Sequence, residues 1–119
     1  MLATRELLRP QFLHEPERAE TFGPLVADLC AKADYAPDPE QELILDNVFA
    51  IRPDGKSAAF ECDLIGPRQN FKTAVLKMIE LGWLFVTKQR LIIHSAHELG
   101  TTEETFRETA TLIEDHPFL

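Results

Sequence analysis

An α/β fold carrying a small parallel sheet is the architecture that the sequence predicts, and three observations lead to it. Apolar residues recur at spacings of three and four in several segments, as amphipathic helices require. Two other apolar runs, 57–65 and 90–95, have the short length and bounded character of strands. Their order is strand, loop, helix, strand, helix, the grammar of a βαβ unit. With 119 residues, 45% of them hydrophobic, the chain suffices for one core and one domain.

Each element has its own signal. Residues 1–21 are polar, mixed in charge and punctuated by Pro10 and Pro16, and read as a peripheral arm; residues 22–119 form the domain. Phe22, Leu25, Val26, Leu29 and Cys30 make the stripe of a short helix. Asp38 then stands as an N-cap, with Pro39 in the first helical position and Gln41 closing a capping box. The helix it starts runs through Leu43, Ile44, Leu45, Val48 and Phe49, a wide apolar face that calls for deep burial. Pro53-Asp54-Gly55 is a tight turn between two extended pieces, the second alternating through Phe60, Cys62 and Leu64. A helix from about Lys72 to Leu81 turns Val75, Leu76 and Ile79 inward and ends at Gly82 as a C-terminal cap. Residues 90–95 suit a buried parallel strand. The last helix starts at a second capping box, Thr101 and Glu104, with Phe106, Ala110 and Ile113 on one face.

Composition narrows the function. No apolar run approaches the roughly 18 residues of a membrane span, and the N-terminus lacks a secretory layout, so the cytoplasm is the expected compartment. Cys30 and Cys62 read as two small buried thiols and not as a disulfide or zinc site. A net charge of -8 argues against a chain that coats nucleic acid non-specifically. The charge is uneven, however: residues 66–90 sum to +4, residues 1–65 to -7 and residues 91–119 to -5. Such a basic island predicts one anionic ligand held at one place.

The motif that fits this ligand is Gly66-Pro67-Arg68-Gln69-Asn70-Phe71-Lys72-Thr73, which matches G-x-x-x-x-G-K-[ST] at every fixed position but the second glycine, here Phe71. Loops of this type direct successive backbone N–H groups and a helix N-terminus at phosphates, while the lysine neutralises the β and γ oxygens and the hydroxyl holds Mg²⁺. Phe71 opposes that function, because glycine permits a close approach to phosphate that a side chain obstructs. The plain alternative is a basic loop before a helix. Other candidates read more simply still: His94 and His97 leave a strand and its exit loop in different directions, Glu61 and Asp63 are exposed carboxylates on one strand face, and Trp83 and Phe85 are core or subunit contacts.

Pro67-Arg68-Gln69-Asn70-Phe71-Lys72-Thr73 resembles the phosphate loop of phage terminase large subunits, including a variant with phenylalanine in place of the glycine. Leu91-Ile92-Ile93-His94-Ser95-Ala96-His97-Glu98, followed by 101–113, is similar to the strand, motif and helix that come next in that family, and Asp38-Pro39-Glu40-Gln41 to its N-terminal segment; the likeness covers roughly 22–116. The resemblance implies part of an ASCE-type P-loop NTPase three-layer sandwich, from a motor whose subunits form a ring on the portal and translocate double-stranded DNA. It implies ATP and Mg²⁺ as cofactors, with Lys72 on the β and γ phosphates, Thr73 on magnesium, Arg68 sensing or stabilising the γ-phosphate, and Gln41 reading the adenine edge. Gln41 is explained equally by the capping box, and Arg68 by a solvated loop.

Hydrolysis in that class needs four apolar residues ending in Asp-Glu to position magnesium and activate water. The nearest match, Leu112-Ile113-Glu114-Asp115, has too short an apolar run and the acids reversed. The family's nuclease carboxylates are missing as well, so the expectation is a truncated piece, a split gene or a decayed remnant that binds nucleotide without turning it over. The rival expectation is a non-catalytic interaction protein with a vestigial phosphate loop, binding motor subunits or the portal. A partial sheet should leave an exposed edge, which predicts self-association into a homo-oligomer or pairing with a missing piece.

Overall fold

Helices dominate the computed structural model, which describes residues 13–65, 72–96 and 99–119. In chain order the elements are β1 (Glu20–Thr21), α1 (Gly23–Lys32), α2 (Pro39–Val48), β2 (Ala50–Ile51), α3 (Lys72–Phe85) and α4 (Leu99–Glu114). The one sheet among the described residues is the antiparallel pair β1–β2, with Glu20 opposite Ile51 and Thr21 opposite Ala50. The α/β expectation of a parallel sheet in a P-loop three-layer sandwich is therefore overturned. Neither of the two runs on which it rested is a strand: Ser57 makes a single antiparallel bridge to Ile51, and residues 58–65 and 90–96 carry no strand pairing. Short apolar runs satisfy strand patterning without specifying a partner, and a strand without a ladder has nowhere to place its backbone polar groups except water.

The helical expectations fare better. Thr21 ties the start of α1 down: its Oγ1 accepts from the Gly23 N–H at 3.0 Å and donates to the Asp46 carbonyl at 2.7 Å. Val26 and Cys30 turn inward with Gly23, while Leu25, expected on the same stripe, is more than half exposed. Asp38 caps α2 as predicted. Its Oδ1 accepts from the Gln41 N–H at 2.9 Å, and Gln41 Oε1 accepts from the Asp38 N–H at 3.0 Å, so both halves of the box are made. Gln41, Leu45 and Phe49 follow at helical spacing and are buried, and Ile44 and Val48 are partly covered beside them.

Helix α3 runs past its expected end. Gly82 is no cap but an interior contact: a Cβ there would lie 2.5 Å from Phe49 Cζ and 2.8 Å from Val26 Cγ2. Its missing side chain lets α3 pass closely over α1 and the end of α2, and the helix continues to Phe85. Val75, Met78, Ile79 and Leu81 are buried around it, whereas Leu76 is 42% exposed. Trp83 packs tilted against Phe49, ring centroids 6.5 Å apart, as a core contact should.

Helix α4 starts ahead of its predicted cap, so Thr101 lies within the first turn and its carbonyl accepts from Thr105 Oγ1 at 3.0 Å. The buried face is Thr105 and Thr109, continued by the partly covered Leu112 and Ile113; Phe106 points outward, contrary to expectation. Helices α1, α2 and α3 pack on one another, and α4 lies against α3. Burial pushes the Cys30 thiol up to about 11, as a buried thiol requires, but Cys62 is exposed because its segment never enters a sheet. Among the described residues no helix is long and apolar enough to cross a membrane.

Candidate nucleotide-binding site

Lys72 is the first residue of α3, directly after the loop-like sequence, and Thr73 follows it in the first turn. The amides of a helix's first turn have no acceptor within the helix, and the helix dipole gives that end a partial positive charge. Of the other predicted phosphate-loop residues, Gly66, Pro67, Arg68, Gln69, Asn70 and Phe71 lie outside the described residues. The chain before them does not arrive as a strand. Phe60, Leu64 and Ile65 are exposed, so the expected strand-to-loop geometry is missing on that side.

Gln41 is buried at the start of α2 with its Oε1 engaged by the Asp38 N–H. A glutamine that reads adenine with both ends of its amide needs Oε1 as acceptor and Nε2 as donor. Here the cap occupies the acceptor, leaving Nε2 as the end a base could use.

The basic island predicted for one ligand is divided by the fold. Lys77 pairs with Glu108 of α4 and lies 5.9 Å over the Tyr35 ring, so its charge is used between elements. Lys88 and Arg90 follow the C-terminal end of α3, and a helix of 14 residues separates the two ends by about 20 Å. They cannot share one phosphate group with Lys72. Glu80, the lone acid of the island, accepts a 2.6 Å contact from His94 Nδ1 and pins the start of segment 91–96 to α3. Sequence reading missed both Lys77–Glu108 and Glu80–His94, because their partners lie 31 and 14 residues away. The one available signal was Glu80 standing alone among cations.

His97 lies outside the described residues, and among those described no group of three potential metal ligands occurs. Glu61 and Asp63 are exposed, as expected of solvated carboxylates. Leu112-Ile113-Glu114 forms the C-terminal end of α4 and Asp115 follows it in a turn; Leu112 and Ile113 pack against the core, so these acids sit at no strand end. Surface depressions among the described residues include two formed by helices. One follows α4 and is lined by Glu104, Arg107, Glu108 and Asp115; the other lies between α1 and α2 beside Asp28, Glu42 and Asp46. Both are dominated by carboxylates, the wrong sign for a triphosphate. Comparisons with protein-family models, with curated proteins and with solved structures returned no match to this chain.

Proposed function

We propose that the chain is a nucleotide-binding fragment of a phage terminase large subunit, whose parent couples ATP hydrolysis to movement of double-stranded DNA into the procapsid. One observation carries the reading: the lysine and threonine that end the phosphate-loop sequence open a helix of 14 residues. A loop of this type needs its last two polar residues on the first turn of a helix, where free amides face the phosphates. In this reading Lys72 meets the β and γ phosphates, the Thr73 hydroxyl holds Mg²⁺, and Arg68 meets the γ-phosphate. Bound Mg·ATP would supply the charge that these residues neutralise. In this reading the chain binds nucleotide and leaves hydrolysis to an acidic motif of the parent, since the sequence given has no run of four apolar residues ending in Asp-Glu. Other motor subunits and the portal are the partners this reading implies, in the host cytoplasm.

A second reading, an interaction protein with a vestigial loop, is favoured by a different observation. Residues 60–65, which should deliver the chain into the loop, are exposed and carry no strand pairing. Titration calorimetry with Mg²⁺ and a non-hydrolysable ATP analogue separates the two. Binding weakened roughly 10- to 100-fold by Lys72→Ala, the loss of a charge-assisted contact, supports the first reading. No heat with either protein makes the loop a relic and leaves the second.

A further inference from the structure

Two segments that contribute nothing to the core carry complementary properties. In 60–65, Phe60 has the exposure of a free side chain (106%) and Ile65 is 94% exposed; in 88–93, Leu91 is 77% and Ile93 82% exposed. The first segment bears Glu61 and Asp63 with no cation, the second Lys88 and Arg90 with no acid. Among the described residues no backbone hydrogen bond engages 60–65 or 90–96, while the Gln89 N–H is bonded to the Trp83 carbonyl at 2.6 Å and Lys88 is left-handed with φ at 56°, so the second segment open to pairing starts at Arg90. In an extended chain side chains alternate between faces, which puts Phe60, Cys62 and Leu64 on one side and Glu61 and Asp63 on the other. Leu91 and Ile93 likewise separate from Arg90.

We propose that segment 60–65 of one copy pairs as a strand with segment 90–93 of a second copy, Lys88 flanking it, reciprocally, in a two-fold dimer. Strand addition between copies satisfies the free backbone groups, buries the apolar faces against each other and sets Glu61 and Asp63 opposite the cations. Reciprocity closes the assembly, because each chain has one segment of each sign and neither is left over. Glu80 contributes by holding His94, and with it the end of the basic segment, against α3. The acidic segment is anchored at its start by the Ser57 bridge to Ile51 and the 2.8 Å bond from the Ala58 N–H to the Ala50 carbonyl.

The test is sedimentation equilibrium of the full chain and of two charge-reversed variants whose substitutions all lie on exposed residues. The chain itself should dimerise with rising concentration. Lys88→Glu with Arg90→Glu gives acid facing acid at both contacts, and Glu61→Lys with Asp63→Lys gives base facing base; each alone should dimerise about tenfold more weakly or worse. Mixed, the two variants restore opposite charges at both contacts and should form a heterodimer near the original strength. A chain that stays monomeric at every concentration, which would mean that something other than a second copy covers these segments, overturns the proposal. So does a mixture that associates no better than its components.

Discussion

Gly23 is held where no side chain fits. A Cβ on it would lie 2.7 Å from Asp46 Cα and 2.8 Å from Asp46 N, both backbone atoms of α2 that cannot rotate away. The N–H of the same residue donates to Thr21 Oγ1, and Thr21 in turn donates to the Asp46 carbonyl, so β1, α1 and α2 meet at this point. Gly23→Ala should destabilise the fold by about 2–3 kcal/mol, the upper part of the range for overpacking, in spite of alanine's better helix propensity. Urea unfolding followed by circular dichroism measures it; a change within a few tenths of a kcal/mol would mean that α1 and α2 separate freely. Gly82 makes the milder case, because its close neighbours are side-chain atoms of Phe49 and Val26 that have some room to shift. Neither glycine owes its place to an unusual φ, so neither was readable as a packing residue. Gly82 in particular has the position of a helix cap in the sequence and the role of a crossing point in the fold.

At the scale of elements, the cap of α2 was legible because it is local. Asp38, Pro39 and Gln41 specify a helix start by contacts within four residues, and tertiary packing agrees with them. Asp38→Ala should cost about 1 kcal/mol of stability, with Asp38→Asn keeping most of it, as the midpoint of urea unfolding will register. It leaves the bond from the residue-38 N–H to Gln41 Oε1 in place, so base reading is tested separately with Gln41→Glu, which removes the Nε2 donor: a changed preference between adenine and guanine nucleotides would mark Gln41 as a base-reading residue. The Thr101 and Glu104 pattern was equally local and failed, because α4 gains another turn at its start and uses Thr105 and Thr109 as its inner face. Strands were the least legible elements. Alternation in 57–65 states which face a strand would bury but not what it would pair with, and no described segment supplies the ladder. The candidate site was legible only along the chain. Lys72 and Thr73 do open a helix, yet the basic residues near them in sequence are spread along its length or paired across to α4.

At the scale of the whole molecule, the longest-range polar contact among the described residues joins the ends of α4 and α1. His116 Nδ1 lies 2.8 Å from the Leu112 carbonyl oxygen and its Nε2 3.3 Å from Asp34 Oδ2, across 82 residues, with the Phe118 ring edge-on at 5.9 Å. Asp34 holds its place with φ at 57°, a left-handed conformation that aspartate tolerates better than most residues. Only the imidazolium can donate to both oxygens at once. The Leu112 carbonyl first, and the Asp34 carboxylate second, accordingly raise the His116 pKa above its ordinary 6.5. A basic group whose pKa is raised on folding stabilises the fold fully below its unfolded value, and that contribution fades as pH climbs through the higher folded value. The stability advantage of the parent chain over His116→Ala should therefore be largest below about pH 6 and shrink as the pH passes 7 and beyond. What remains at high pH reports the ring's packing on Phe118. Because the Asp34 side chain is almost fully solvated, salt should reduce the pH-dependent part. Asp34→Asn should remove only the carboxylate's share and leave the larger one from Leu112. Thermal midpoints of the three proteins across this range, at low and high salt, carry the check: a difference that grows with pH would mean that His116 docks in its neutral form and that the end of α4 is held by packing alone.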